Sequence, residues 1–204
     1  MTSHLDVREM KIKYHYFVIA TLALLITSAN WGHGGEPAAS ESMLDELERS
    51  LELGRHERLL VEKQNPAYSL SAFTTDGCSG GLSVGWQHLS EKIELLKTVH
   101  GDLPPWESCC ISHDRLYHSA GDRNISAEMS FVARRKADQD LRSCVLEVGL
   151  SRAPQLSEQY ELSLEEVGQA YQVIGDLMYR AVRIGGVPCS GLPWRWGYGW
   201  PECD

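Results

Sequence analysis

"CCISHDRLY", residues 109–117, sets two adjacent cysteines ahead of a histidine, an aspartate and a tyrosine. On a helix, Cys109 and Cys110 lie four and three residues before His113, so all three share one region of the surface, and Tyr117 follows a turn later. Adjacent helical side chains point about 100° apart. As half-cystines the pair would therefore tie this helix to two different places, whereas as thiolates Cys109, Cys110 and His113 could ligate zinc. The compartment decides between these uses.

The amino-terminal end speaks to that. Arg8, Lys11 and Lys13 precede the apolar run "FVIATLALLITSA" of residues 17–29, which ends in small residues suited to cleavage near Ala29. Its 13 residues fall short of the ~20 that a spanning helix requires. Residues 1–29 therefore read as an export signal, with retention as a membrane anchor the alternative. The product is secreted or periplasmic, and an oxidising compartment favours disulfides over zinc for the six cysteines, 78, 109, 110, 144, 189 and 203. Six cysteines allow about 15 pairings, so number alone does not choose among them.

At 204 residues and 43% hydrophobic composition the chain suits one globular domain with an appendage. Residues 1–29 hold three basic and two acidic side chains, so their removal takes the formal charge from −9 to −10. A body this acidic argues against nucleic acid as a partner. Residues 30–67 form an acidic segment with a helical pattern from 41 to 63 (apolar at 44, 47, 51, 59 and 60), read as a peripheral helix that Pro66 ends. Residues 68–204 form the main domain. In it, "SLSAFTTDGCSGGLSVG" (69–85) is a glycine-rich loop. Pro104 and Pro105 open a helix over about 105–120, which Gly121 closes. Asn124 or Ser126 caps a second, whose stripe of Ala127, Phe131, Ala137, Leu141, Val145 and Val148 runs to Gly149. "SLEE" at 163–166 offers a capping box for a third, with Val167, Tyr171, Ile174 and Met178 in period. The last residues pack Trp194, Trp196, Tyr198 and Trp200 among glycines and prolines.

Suppose Cys109 were bonded to Cys144 across two antiparallel helices. Four residues forward reach His113, about 6 Å up the axis, and six residues back reach Asp138, about 9 Å in the same direction. A carboxylate accepting from one imidazole nitrogen leaves the other free as a general base. If Cys78 met Cys110, the carbonyls of "DGCSGGLS" (76–83) would turn toward Asp114, an all-oxygen set of the kind calcium takes.

"DGCSGG", "CCISHDRLY" and "ADQDLRSC" together resemble the secreted phospholipase A2 family, over roughly residues 68–148. The resemblance implies a mainly α fold: a core of two antiparallel disulfide-linked helices with a calcium-binding loop, here with extra helices and an aromatic carboxy-terminal tail. It makes His113 the base that activates water, Asp138 its orienting partner and Tyr117 a hydrogen-bond support for Asp138. It assigns calcium to the Asp114 carboxylate and the carbonyls of Gly77, Ser79 and Gly81. It pairs Cys78 with Cys110 and Cys109 with Cys144, leaving Cys189 for Cys203. The implied activity is hydrolysis of the sn-2 ester of a glycerophospholipid at a membrane or micelle interface. The chain departs from the family in lacking a further bridge, whose ends are Leu116 and Ala137 and which an apolar contact would replace, in Ser79, and in the long stretch 82–103.

Other readings stay open on the residues alone. A non-catalytic lipid- or protein-binding module would keep the scaffold, though it has no need of base, partner and metal carboxylate together. A zinc domain would show free thiols. His88, His100 and His118 match no motif position and read as surface residues. Trp194, Trp196 and Trp200 read as packing residues or as a membrane-docking patch, and exposure of two or more favours docking.

Overall fold

Residues 38–78 and 103–203 are described in a computed structural model of the protein. Residues 1–29, read above as an export signal, and Ser79, Gly81, His88, His100 and residues 82–102 lie outside the described residues. The chain divides into two units, Met1–Leu44 and Asp45–Asp204, and the second carries all six cysteines.

Pattern and capping account for most helix ends. Among the described residues there are four helices and no strand: α1 (Ala38–Gln64), α2 (Glu107–Ser119), α3 (Ala127–Tyr160) and α4 (Leu164–Gly185). None is long and apolar enough to cross a membrane. Helix α2 starts just after Pro104 and Pro105 and ends through left-handed Ala120 and Gly121. Ser126 rather than Asn124 caps α3, its side chain accepting from the Met129 N–H at 3.1 Å. The capping box of α4 is formed in both directions by Ser163 and Glu166.

Helix α3 does not stop at Gly149 but continues through Pro154 to Tyr160. Gly149 is there for contact: a Cβ on it would fall 2.3 Å from the Tyr171 ring, so its absence lets α4 close onto α3. Pro154 deprives only the Leu150 carbonyl of a helical donor, and packing of Ala153 and Leu156 on both sides of it holds the helix together.

All six cysteines are bonded, Cys78–Cys110, Cys109–Cys144 and Cys189–Cys203, which excludes the thiolate zinc site and fits an oxidising compartment. Contacts between α2 and α3 run in opposite order: 109 with 144, 113 with 138, and 117 with 134. The helices are therefore antiparallel. Helix α2 lies between two apolar clusters. One holds Cys109, Cys110, Trp106, Leu141, Val145, Tyr171 and Met178; the other holds Tyr117, Ala120, Ala137, Leu59, Trp196 and Trp200. Leu116 is half exposed while Ala137 is buried in the second cluster.

Helix α1 keeps a solvated outer face, as expected of a peripheral helix, but its inward face is not the one its apolar pattern suggests. Leu47 and Leu51 point outward, 56% and 69% exposed, while Glu52, His56, Leu59 and Lys63, spaced i, i+4, i+7, i+11, are the buried face. This stripe is inward because the rest of the unit offers it partners. The Lys63 ammonium donates to the carbonyls of Ala120, Gly121 and Asp122 at 2.7–3.0 Å, capping the carboxy-terminal end of α2. Lys63→Met would leave these acceptors unmatched, and chemical denaturation should show a loss of about 3 kcal/mol. An unchanged midpoint would contradict the capping role.

The aromatic tail is built inward. Trp196 and Trp200 are buried and Trp194 is half-buried, so three exposed tryptophans do not form a docking patch. The Gly197 N–H donates to the Tyr117 carbonyl (2.7 Å), the Gly199 N–H to that of His118 (3.1 Å) and the Trp200 indole to that of Ser119 (3.0 Å). Gly197 has φ +82°, and a Cβ there would strike Leu59. His118 is accordingly not a surface residue: it is 4% exposed, edge-on to Phe73 and Tyr198. Large aromatics with satisfied polar tips are worth most when buried, and the tail supplies a lid over the end of α2.

Candidate active site

His113 and Asp114 sit side by side on α2 at 6% and 7% exposure, and Asp138 on α3 is fully buried. The His113 Nε2 lies 2.9 Å from Asp138 Oδ1. A carboxylate at that distance fixes the tautomer with the proton on Nε2, leaving the lone pair on Nδ1. Tyr117, one turn along α2, donates its hydroxyl to the same Oδ1 at 2.6 Å, and its ring lies against the imidazole with centroids 4.1 Å apart.

The free Nδ1 looks toward Asp114, whose Oδ1 is 3.8 Å away. Burial works against a charge on His113, but the hydrogen bonds and charges of Asp114 and Asp138 outweigh it and raise its pKa above the ordinary imidazole value. Tyr117 moves well above the phenol range, because it is buried and faces the Asp138 anion; it stays a donor. A cavity of about 50 Å3 lies beside His113 and Asp114 and is walled by Cys78, Leu141, Met178 and Val182. That is room for a water molecule, which needs about 10–15 Å3 of such space.

Asp114 is a buried carboxylate that accepts a hydrogen bond from Thr75 Oγ1 at 2.5 Å and has no Arg or Lys within ion-pair distance among the described residues. Thr75 is itself held by the Gly77 N–H at 3.0 Å, and Gly77 turns the chain with φ +73°. The Cys78–Cys110 bridge pins this turn beside α2. The one basic neighbour of Asp114 among the described residues is therefore the His113 imidazole, and a buried carboxylate is costly unless a positive charge lies beside it. Of the four oxygen donors assigned to calcium, Asp114 and Gly77 are brought to one place; Ser79 and Gly81 fall outside the described residues. The described residues hold no cluster of three or more His, Cys, Asp or Glu suited to a metal, and a set built on one carboxylate and backbone carbonyls is not such a cluster.

Sequence reading missed the other side of Asp138. Its Oδ2 accepts from Arg183 Nη1 at 2.9 Å, and Arg183 is in turn bound by Glu52 and Glu48 of α1. Burial opposes charge on Glu52, but His56, Arg134 and Arg183 outweigh it and hold its carboxyl down to about 2. The available signal was the run of Glu48, Glu52 and His56 at steps of four, a polar stripe that apolar periodicity ignores.

The site thus defines a class: a helical, disulfide-bonded protein with a buried His–Asp pair beside a small cavity and a second buried carboxylate on the other side of the imidazole. No protein-family model, curated protein or solved structure matches the chain.

Proposed function

We propose that the protein is a calcium-dependent hydrolase of the phospholipase A2 type, cutting the sn-2 ester of a glycerophospholipid. The observation that carries this reading is the contact between His113 Nε2 and Asp138 Oδ1 with the Asp114 carboxylate on the opposite side of the ring. The disulfides Cys78–Cys110 and Cys109–Cys144 support it, since they are the two pairings that the family resemblance implies.

In this reading His113 Nδ1 takes a proton from water as the water oxygen bonds to the ester carbonyl carbon. Asp138 stabilises the imidazolium so formed and keeps the ring from rotating. The same nitrogen then returns its proton to the departing glycerol oxygen as the acyl C–O bond breaks, releasing a fatty acid and a lysophospholipid. Calcium, held by the Asp114 carboxylate and the Gly77 carbonyl with Ser79 and Gly81, would supply positive charge for the substrate phosphate and for the ester oxygen. Met178, Leu141 and Val182 give the cavity an apolar wall beside the catalytic pair.

Asp114→Asn tests the metal assignment. It keeps the Thr75 hydrogen bond but removes the charge, so calorimetric titration should find calcium binding weakened by about tenfold or more, with a parallel rise in the calcium needed for turnover. Equal calcium affinity in the two proteins would refute Asp114 as the metal carboxylate.

A further inference from the structure

Asp138 belongs to a closed circuit of buried groups. Its Oδ1 accepts from Tyr117; the Tyr117 oxygen accepts from Arg134 Nε at 3.2 Å; Arg134 Nη1 donates to Glu52 Oε2 at 2.5 Å. Glu52 Oε1 accepts from Arg183 Nη2 at 3.0 Å, and Arg183 Nη1 returns to Asp138 Oδ2 at 2.9 Å. Two guanidiniums and two carboxylates close the circuit without net charge. Arg134 also donates to the carbonyls of Val182 and Arg183, so it grips the backbone from which Arg183 reaches.

The circuit sets the plane of the Asp138 carboxylate. With Oδ1 alone held, Asp138 could swing about its Cβ–Cγ bond and carry the acceptor away from the imidazole. Arg183 Nη1 fixes Oδ2 with one hydrogen bond, while Nε and Nη2 of the same planar group bind Glu48 and Glu52, so one rigid guanidinium bridges the three carboxylates. Glu52 and Glu48 hold the other edge of the Arg183 guanidinium, so α1 reaches Asp138 through Arg183 directly and through Arg134 and Tyr117 at one remove.

We infer that Arg183, clamped by Glu52, is a positioning residue that orients Asp138 so that His113 presents Nδ1 to the substrate water, which makes α1 part of the working site. The inference rests on the proposed hydrolytic reading for its effect on rate, while the orientation itself can be read without turnover.

The experiment uses the full oxidised chain, its Arg183→Gln and Arg183→Lys variants, kinetics on phospholipid micelles, and the downfield proton resonance of His113 Nε2–H. Arg183→Gln is expected to lower kcat by about 10- to 100-fold with KM unchanged and to shift or broaden that resonance. Arg183→Lys, which restores the charge but not the fork, should recover part of both. Wild-type kcat together with an unshifted resonance in Arg183→Gln overturns the inference. If Arg183→Gln loses its cooperative melt, Arg183→Lys decides: a reduced kcat at constant KM supports the role, and a wild-type kcat overturns it. Should the wild type itself release no fatty acid, the hydrolytic reading falls, and the resonance alone judges the positioning.

Discussion

The His113→Gln protein is expected to keep its fold and its calcium affinity while losing on the order of 10²- to 10⁴-fold in kcat, the usual worth of a positioned general base. Glutamine preserves an N–H that can reach Asp138 Oδ1 in place of Nε2, so the buried carboxylate and the Tyr117 hydroxyl that shares it stay satisfied. What is lost is the lone pair at Nδ1, on the Asp114 side of a ring that lines the small cavity. A drop in kcat at constant KM and constant melting temperature is the signature of a group used in the transition state. Undiminished turnover would show that the His–Asp pair is a stabilising contact and nothing more.

The second large effect concerns the staple. Cys109 and Cys144 are joined across a sequence separation of 35, and His113 and Asp138 lie four and six residues from its ends. Replacing both cysteines by serine frees a loop of that length in the unfolded chain, worth about 4 kcal/mol in the chain-entropy model. For a chain of this size that corresponds to a fall in Tm of about 10 °C. Calorimetry checks it, and a melt within a degree of wild type would mean that the helix pair is held by other contacts. The Cys78–Cys110 bridge remains in that variant, so the Gly77 turn should stay beside Asp114.

The parts of the fold legible in the sequence are those with a local or covalent cause. The capping box at Ser163, the prolines before α2, the glycine after it, and the spacing that puts His113 and Asp138 at one level all act within a few residues or through a disulfide. What escaped has non-local causes. Leu47 and Leu51 look like the inward face of α1, yet that helix turns Glu52, His56 and Lys63 inside, because Arg134, Arg183 and the carbonyls after α2 await them. Periodicity counts apolar side chains and does not see an ionic face whose partners lie over 50 residues away. The continuation of α3 past Gly149 escaped for a similar reason: a glycine that would end an isolated helix is, in the packed unit, the place where Tyr171 comes close. His118 is covered by Phe73 and Tyr198, and Trp196 packs on Tyr117, contacts between segments that do not announce one another in the sequence.

Release of fatty acid from mixed phospholipid micelles by the purified, oxidised protein, followed as calcium is added and then chelated, bears most directly on the central claim. The account predicts sn-2 hydrolysis that appears with calcium and disappears with the chelator. Hydrolysis that persists without calcium, or none on any phospholipid with calcium present, would contradict it.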